Sequence, residues 1–196
     1  IHIHDLDFYT LTTTCCQIDI IKLFKGGFST GHGVLREPND IASYSALACI
    51  AIQSNQNDQH GGQAIVNFDY GLAEGVKKTY TRKYFSALGN ALEFATDNEE
   101  CGQMAKDMKK KFVDEGIIPR IDGNKDFDEK AEKYLLDKGF SKEEIEKASK
   151  FASKNALKET DRATYQAMEA LLHNLNTMHS RAGAQTPFSS INYGMD

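Results

Sequence analysis

The first residues able to do chemistry stand two apart at the head of the chain, His2 and His4, with Asp5 directly after them. A strand repeats every two residues, so both imidazoles of a His-x-His pair lie on one side of it. There they can share a metal ion, orient a small anion or shuttle a proton. The same spacing describes two strand-end residues satisfied by ordinary hydrogen bonds, and so short a pattern does not choose between the readings. Cys15 and Cys16 follow. Neighbouring residues of a strand point to opposite faces, so one thiol of the pair is a candidate for a cavity and the other for packing. A thiol in a cavity can carry redox chemistry, whereas one that only packs is a small hydrophobe. Cys49, within a run of small residues, and Cys101, in charged sequence, take the packing reading. No two of the four cysteines have the C-x-x-C spacing of a zinc site or redox loop, which points to reduced thiols.

Two glycine-rich turns, GGFSTGHG at residues 26–33 and QHGG at residues 59–62, offer backbone N–H groups that could cradle a phosphate. Neither matches the P-loop or the dinucleotide fingerprint. The second would need a helix to begin at once, and tight-turn geometry accounts for both. A basic run, Lys77, Lys78, Arg82 and Lys83, places Lys78 and Arg82 four apart on one helix side. It reads either as a solvated face or as an anion site at a partner interface.

Holding these groups requires a framework, and 196 residues are enough for one domain with a sizeable core. With 40% hydrophobic and 10% aromatic residues and only three prolines, the composition excludes a disordered or Pro-rich chain. A net charge of -5 gives no overall attraction to nucleic acid or to an anionic membrane, so any phosphate binding must be local. No apolar run approaches the ~20 residues that span a bilayer, and the first residues lack the basic and apolar regions of a signal peptide. A cytoplasmic protein is expected. The chain opens without Met on a strand pattern and closes straight after another, so it is expected to be an internal segment of something longer.

Charge is uneven: residues 97–161 hold 31 of the 51 charged side chains. Residues 1–96 and 162–196 are therefore expected to supply core and site, and residues 97–161 a solvated helical excursion. Residues 1–8 alternate as a strand, and residues 12–23 suit a buried strand or a strand entering a helix. Asn39 and Asp40 are good N-caps for a small-residue helix running to about Asn57. A second helix is expected over about 69–94, with Leu72, Val76, Tyr80 and Tyr84 on one face. Ser141-Lys-Glu-Glu144 is a capping box that opens an amphipathic helix through Ile145, Ala148, Phe151 and Ala152. Another helix is expected over about 160–178, and residues 184–194 read as a loop feeding a strand. This β, several helices, β order predicts an α/β architecture with long crossovers.

Several of these signals occur in a familiar order. His2-Ile-His-Asp-Leu-Asp7, Thr14-Cys-Cys-Gln-Ile-Asp19, Gly27-Phe-Ser-Thr-Gly31, Gln59-His-Gly-Gly62, Asn176-Thr-Met-His-Ser180 and Gln185-Thr-Pro-Phe-Ser-Ser190 together resemble the anaerobic, class III, ribonucleoside-triphosphate reductases. The resemblance covers roughly residues 1–83 and 161–196, not the charged middle. It implies a helix-rich partial segment of a ten-stranded α/β barrel of the glycyl radical enzyme type, all 196 residues being a fragment of that one catalytic domain. It implies reduction of the 2′-hydroxyl of ribonucleoside triphosphates, with Cys15 matching the family's first-strand active-site cysteine beneath the ribose. His2 and His4 match histidines that orient formate or another reductant and manage protons. Arg82 falls where the family places a basic residue for the phosphates of the effector nucleotide, on helices at the dimer interface. For the parent enzyme it implies a glycyl radical, structural zinc, ATP and dNTP effectors, a homodimer, and activation by an iron–sulfur protein using S-adenosylmethionine. This segment is expected to bind no cofactor itself. The family's thiyl-forming loop cysteine, glycyl-radical glycine and zinc cysteine cluster are not in this sequence; Gly194 lacks the radical segment's surroundings. The segment is therefore expected to be inactive alone. Two other readings stand beside this one. A metal-dependent hydrolase would use the His-x-His site, with His173 and His179 as distant further ligands, and a noncatalytic interaction module would centre on residues 97–161.

Overall fold

The computed structural model describes residues 15–30, 33–57, 61–177 and 188–194. The strand expected over residues 1–8, with His2 and His4, lies outside them. The described chain runs β1 (Cys16–Ile18), α1 (Ile20–Phe24), β2 (Phe28–Ser29), β3 (Val34–Leu35), α2 (Ile41–Asn57), β4 (Gln63–Ile65), α3 (Phe68–Thr96), α4 (Cys101–Asp114), α5 (Lys125–Asp137), α6 (Lys142–Thr177) and β5 (Ser189–Ile191). It divides into two compact units, residues 1–75 with 165–196, and residues 76–164. This is a helix-rich α/β protein with a small parallel sheet.

The first unit is built on that sheet, in the order β1-β4-β5 with both pairs parallel. Parallel neighbours need crossovers; α2 lies in the first and the helices α3 to α6 in the second. Within the stretch expected as a strand entering a helix, the described part from residue 15 does so: Asp19 follows β1 and caps α1, its carboxylate accepting from the backbone of Ile21 at 3.1 Å and Lys22 at 3.2 Å. Asp40 caps α2, accepting from Ser43 N at 2.8 Å, while the Ser43 hydroxyl accepts from the backbone of Asn39 and Asp40. The small residues of α2 let it lie close to α6. Ser45 Oγ donates to Ala167 O at 2.8 Å, and one turn on, Cys49 Sγ reaches Leu171 O at 3.8 Å. Burial pushes the Cys49 thiol up from its ordinary pKa, which fits its packing role.

Gly71 and Gly75, one turn apart at the start of α3, bring that backbone against α1 and α2. A Cβ on Gly75 would lie 2.9 Å from the Tyr44 ring and 3.1 Å from Ile41 Cα, and one on Gly71 would collide with the Ile20 side chain. Gly75→Leu is therefore expected to cost about 1–3 kcal/mol or more by overpacking, read as a lower denaturation midpoint of this chain.

The second unit is the charged middle and the helix ends beside it, and it is more than a solvated excursion. Its helices bury a core containing Tyr84, Phe85, Met108, Phe112, Phe127 and Leu135. Phe127 is the hub, with edge-to-face contacts to Tyr84, Phe85 and Phe112 at centroid distances of 5.4, 5.9 and 5.9 Å. Ala148, Ala152 and Ala156 form a buried stripe along α6. The predicted capping box is present: Glu144 N donates to Ser141 Oγ at 3.3 Å and Ser141 N to Glu144 Oε2 at 2.8 Å. The two helices expected over 141–152 and 160–178 are one continuous helix. No Gly or Pro interrupts residues 153–159, and their Lys, Ala, Leu and Glu are good helix formers.

Candidate functional site

The sheet of the first unit has two unlike faces. Ile18, Gln63 and Ile65 are buried and Cys16 is half-buried on the face turned to α2. There the Gln63 side chain is fully engaged, its amide donating to Ile52 O at 2.9 Å and its carbonyl accepting from Asn55 Nδ2 at 2.8 Å. The opposite face carries the exposed Gln17 and Ser190 with the half-buried Ala64 between them. Cys15, one residue before β1, is exposed and falls on this second face by strand alternation. The adjacent thiols thus differ in exposure, Cys15 exposed just before β1 and Cys16 half-buried within it.

The carboxyl ends of parallel strands are where α/β proteins hold ligands, and here they are tied together by side chains. Asn67, just after β4, donates to Asp19 Oδ1 at 2.7 Å and accepts from Ile20 N at 3.3 Å, joining the ends of β1 and β4. Asp69 accepts from Gly194 N at 2.8 Å, tying the end of β5 to the start of α3. The Asn67 hydrogen bond holds the Asp19 carboxyl below its ordinary pKa, helped by the backbone N–H and charge of Lys22. The Gly194 N–H does the same for Asp69. A depressed carboxyl stabilises the fold above its ordinary range and loses that contribution as pH falls through the lowered value. Acid unfolding of the sheet is accordingly expected to begin below about pH 4. Asp19→Asn should flatten this acid limb in a pH series of melting temperatures.

A cavity of about 570 Å³ lies beside this end of β1, lined by Cys16, Asp19, Lys22, Ser29, Thr30 and Asn55 among others. The first glycine-rich turn forms the β2–β3 hairpin, and the Gly26 N–H donates to Glu37 Oε2 at 3.1 Å. The second runs into β4 rather than a helix, and its Gly62 carbonyl accepts from Cys16 N. Gly31, His32, Gln59 and His60 of these two stretches lie outside the described residues. In the second unit, a more apolar cleft of about 830 Å³ is lined by Ala91, Phe94, Ala148 and Phe151 with Glu144 and Lys147. None of the described candidate catalytic or binding residues, Cys15, Cys16, Arg82 and His173, lines it.

Of the candidate site residues, the structure describes Cys15, Cys16, Arg82 and His173, the last exposed on α6, while His2, His4 and His179 lie outside the described residues. Arg82 is exposed on the part of α3 that belongs to the second unit. Its neighbour Lys83 pairs with Glu159 at 3.6 Å, and Glu159 also takes Arg162 at 2.8 Å. The second unit carries a net charge of +1 and the first -6, so the basic run sits in the unit more accommodating to phosphate. Among the described residues no three His, Cys, Asp or Glu side chains come together as a metal site. No described helix is long and apolar enough to cross a membrane. The Asp19–Asn67 clasp escaped the sequence reading. Asp19 belongs to the quoted TCCQID string, but its partner is 48 positions away and no local pattern announces it.

A protein-family model described as anaerobic ribonucleoside-triphosphate reductase matches residues 1–196. Among curated relatives of that name, the chain is 28% identical over 106 residues to the protein of Enterobacteria phage T4. That match covers 51% of this chain and 18% of the relative. It is 22% identical over 197 residues to the proteins of Salmonella typhimurium strain LT2 and Escherichia coli strain K12, covering all of this chain and 20% of each. The chain thus spans about a fifth of the length of the relatives it matches.

Proposed function

The chain belongs to the anaerobic ribonucleoside-triphosphate reductase family, and from that premise we propose that it is part of the catalytic barrel of an enzyme that converts ribonucleoside triphosphates to 2′-deoxyribonucleoside triphosphates. In that reaction the 2′ C–O bond breaks, a C–H bond forms, and the hydroxyl leaves as water. The two electrons come from formate, which becomes CO2 and supplies one proton while water supplies the second, or from a dithiol protein, which becomes a disulfide and supplies both protons. Cys15 is the residue of this chain that passes reducing hydrogen to the ribose, and His2 and His4 orient the reductant and move its protons. The observation that carries the reading is the open face of the parallel sheet. A sheet closed into a ten-stranded barrel turns one face to its helices and the other to the interior. Cys15 is exposed just before β1, and strand alternation carried back from Gln17 assigns it to the face opposite the one packed on α2.

Residues 1–96 and 162–196 supply strands and helices of that one domain, and residues 97–161 are an excursion from it. Arg82 holds effector phosphates through its planar guanidinium, with ATP or dNTPs as effectors and a second copy of the chain across the α3 helices. The parent's glycyl radical supplies the radical that starts turnover. It is installed by an iron–sulfur activase using S-adenosylmethionine, and it and the structural zinc belong to other parts of the parent. The enzyme works in the cytoplasm, with no nucleic acid or membrane partner.

The test is an anaerobic assay of the complete parent protein with activase and reductant. Deoxyribonucleoside triphosphate should accumulate beyond one per enzyme; its absence with the radical present would refute the reading. In the same assay Arg82→Ala is expected to raise the effector concentration for half-stimulation by about tenfold, the size of one charge-assisted contact.

A further inference from the structure

The open face of the sheet carries a row of residues that does not look like core. Gln17 is the registered partner of Ala64, and Ala64 of Ser190, so the three run straight across β1, β4 and β5. Parallel strands buried on both sides read as runs of Val, Ile and Leu. The helix-side face carries the row Ile18, Ile65 and Ile191, and beside it Cys16, Gln63 and Ser189, where the Gln63 amide is held by Ile52 and Asn55; the row opposite offers an amide, a methyl and a hydroxyl. Gln17 and Ser190 are exposed, and neither side chain is hydrogen-bonded to another described residue. Left against apolar packing, each would cost the desolvation of an unsatisfied polar group. They call for a polar occupant.

The geometry narrows what that occupant is. Strands lie about 4.8 Å apart, so Gln17 and Ser190 stand roughly 10 Å apart across a floor that is only the Ala64 methyl. Such a notch admits a small ring with hydroxyls at its rim. Cys15 lies two positions before Gln17 on the same face, about 7 Å along the strand. We propose that Gln17 and Ser190 read the ribose, hydrogen-bonding the vicinal 2′- and 3′-hydroxyls of the nucleotide over Ala64 while Cys15 flanks the ring. Gln17 can donate and accept at once through its amide, and Ser190 likewise through its hydroxyl, so together they match a diol. The inference rests on the Cys15 face being the substrate side.

The experiment uses the complete parent enzyme and compares the binding of CTP with that of its 2′,3′-dideoxy analogue at saturating effector. Gln17→Leu is expected to weaken CTP binding about tenfold and Ser190→Ala about fivefold, the scale of one hydrogen bond each. Both should leave the dideoxy analogue's affinity and the melting temperature unchanged, because the hydroxyls that the side chains would meet are missing from that analogue. Equal weakening of both nucleotides, or no weakening of CTP, would overturn the proposal. A fall in melting temperature with the CTP preference intact would also overturn it, since the row would then be packing in the parent. Failure of the Cys15 assignment has a different signature, namely turnover by Cys15→Ser, and leaves this difference in binding readable.

Discussion

Cys15→Ser in the parent enzyme is expected to lower nucleotide reduction by ~10³-fold or more, to background, while Cys16→Ser keeps most of it and the activase still generates the radical in both. The size follows from the role. A thiol that supplies reducing hydrogen has no substitute in a hydroxyl, whose O–H bond is far stronger, so removing it stops the chemistry rather than slowing it. The contrast between neighbours follows from the proposed assignment, in which alternation carried back from β1 puts Cys15 on the side of Gln17 and Ser190, while Cys16 shares the face that packs toward α2. Cys16→Ser replaces a half-buried thiol by a smaller polar group, a cost of about 1 kcal/mol felt in stability. The readouts are deoxynucleotide yield and the radical's paramagnetic signal. Equal loss in both variants would dissolve the distinction between the two faces.

Phe127→Ala is expected to cost the second unit about 3–5 kcal/mol. Phe127 is 1% exposed and meets three aromatic rings edge-to-face, so its removal leaves a cavity ringed by Tyr84, Phe85 and Phe112. These rings come from two helices, α3 and α4, that pack on α5, so the void cannot close by one side chain turning. Tyr84 reports the change. Burial pushes its phenol up to about 12, against a hydrogen bond from Ser149 that works the other way. Opening the core should bring that titration down toward 10. With no Trp in the chain, tyrosine absorbance during alkaline titration reads this directly, alongside the denaturant midpoint. For a unit of this size the loss corresponds to a melting temperature lower by roughly 15 °C or more. A variant that melts within a few degrees of the parent would show that the aromatic cluster is not what holds the unit.

Much of this framework was legible in local sequence. The Ser141–Glu144 box, the Asp40 cap and the long helix through Tyr80 and Tyr84 depend on residues within four positions of one another, and each appears as expected. Missed features depend on distance. Gln63–Ile65 is three residues long, too short for an alternation to show, and is a strand because Cys16–Ile18 and Ser189–Ile191 lie on either side of it. High charge in residues 97–161 masked a core, because the buried residues of α4 and α5, Ala105, Met108, Phe112, Phe127, Ala131 and Leu135, recur at helical spacing among lysines and acids. A Cys-Cys pair in a strand implies one thiol on each face, but only the sheet register reveals that Gln17, Ala64 and Ser190 share the face of Cys15.

The most direct check on that face is the rate of anaerobic thiol alkylation in the complete parent, followed for each cysteine by peptide mass spectrometry with and without ribonucleoside triphosphate. Cys15 should react and be protected by the nucleotide, while Cys16 reacts slowly and Cys49 and Cys101, each 1% exposed, hardly at all. Protection of Cys16 by the nucleotide, with Cys15 reacting at the same rate in its presence and absence, would contradict the assignment of the open face to the substrate.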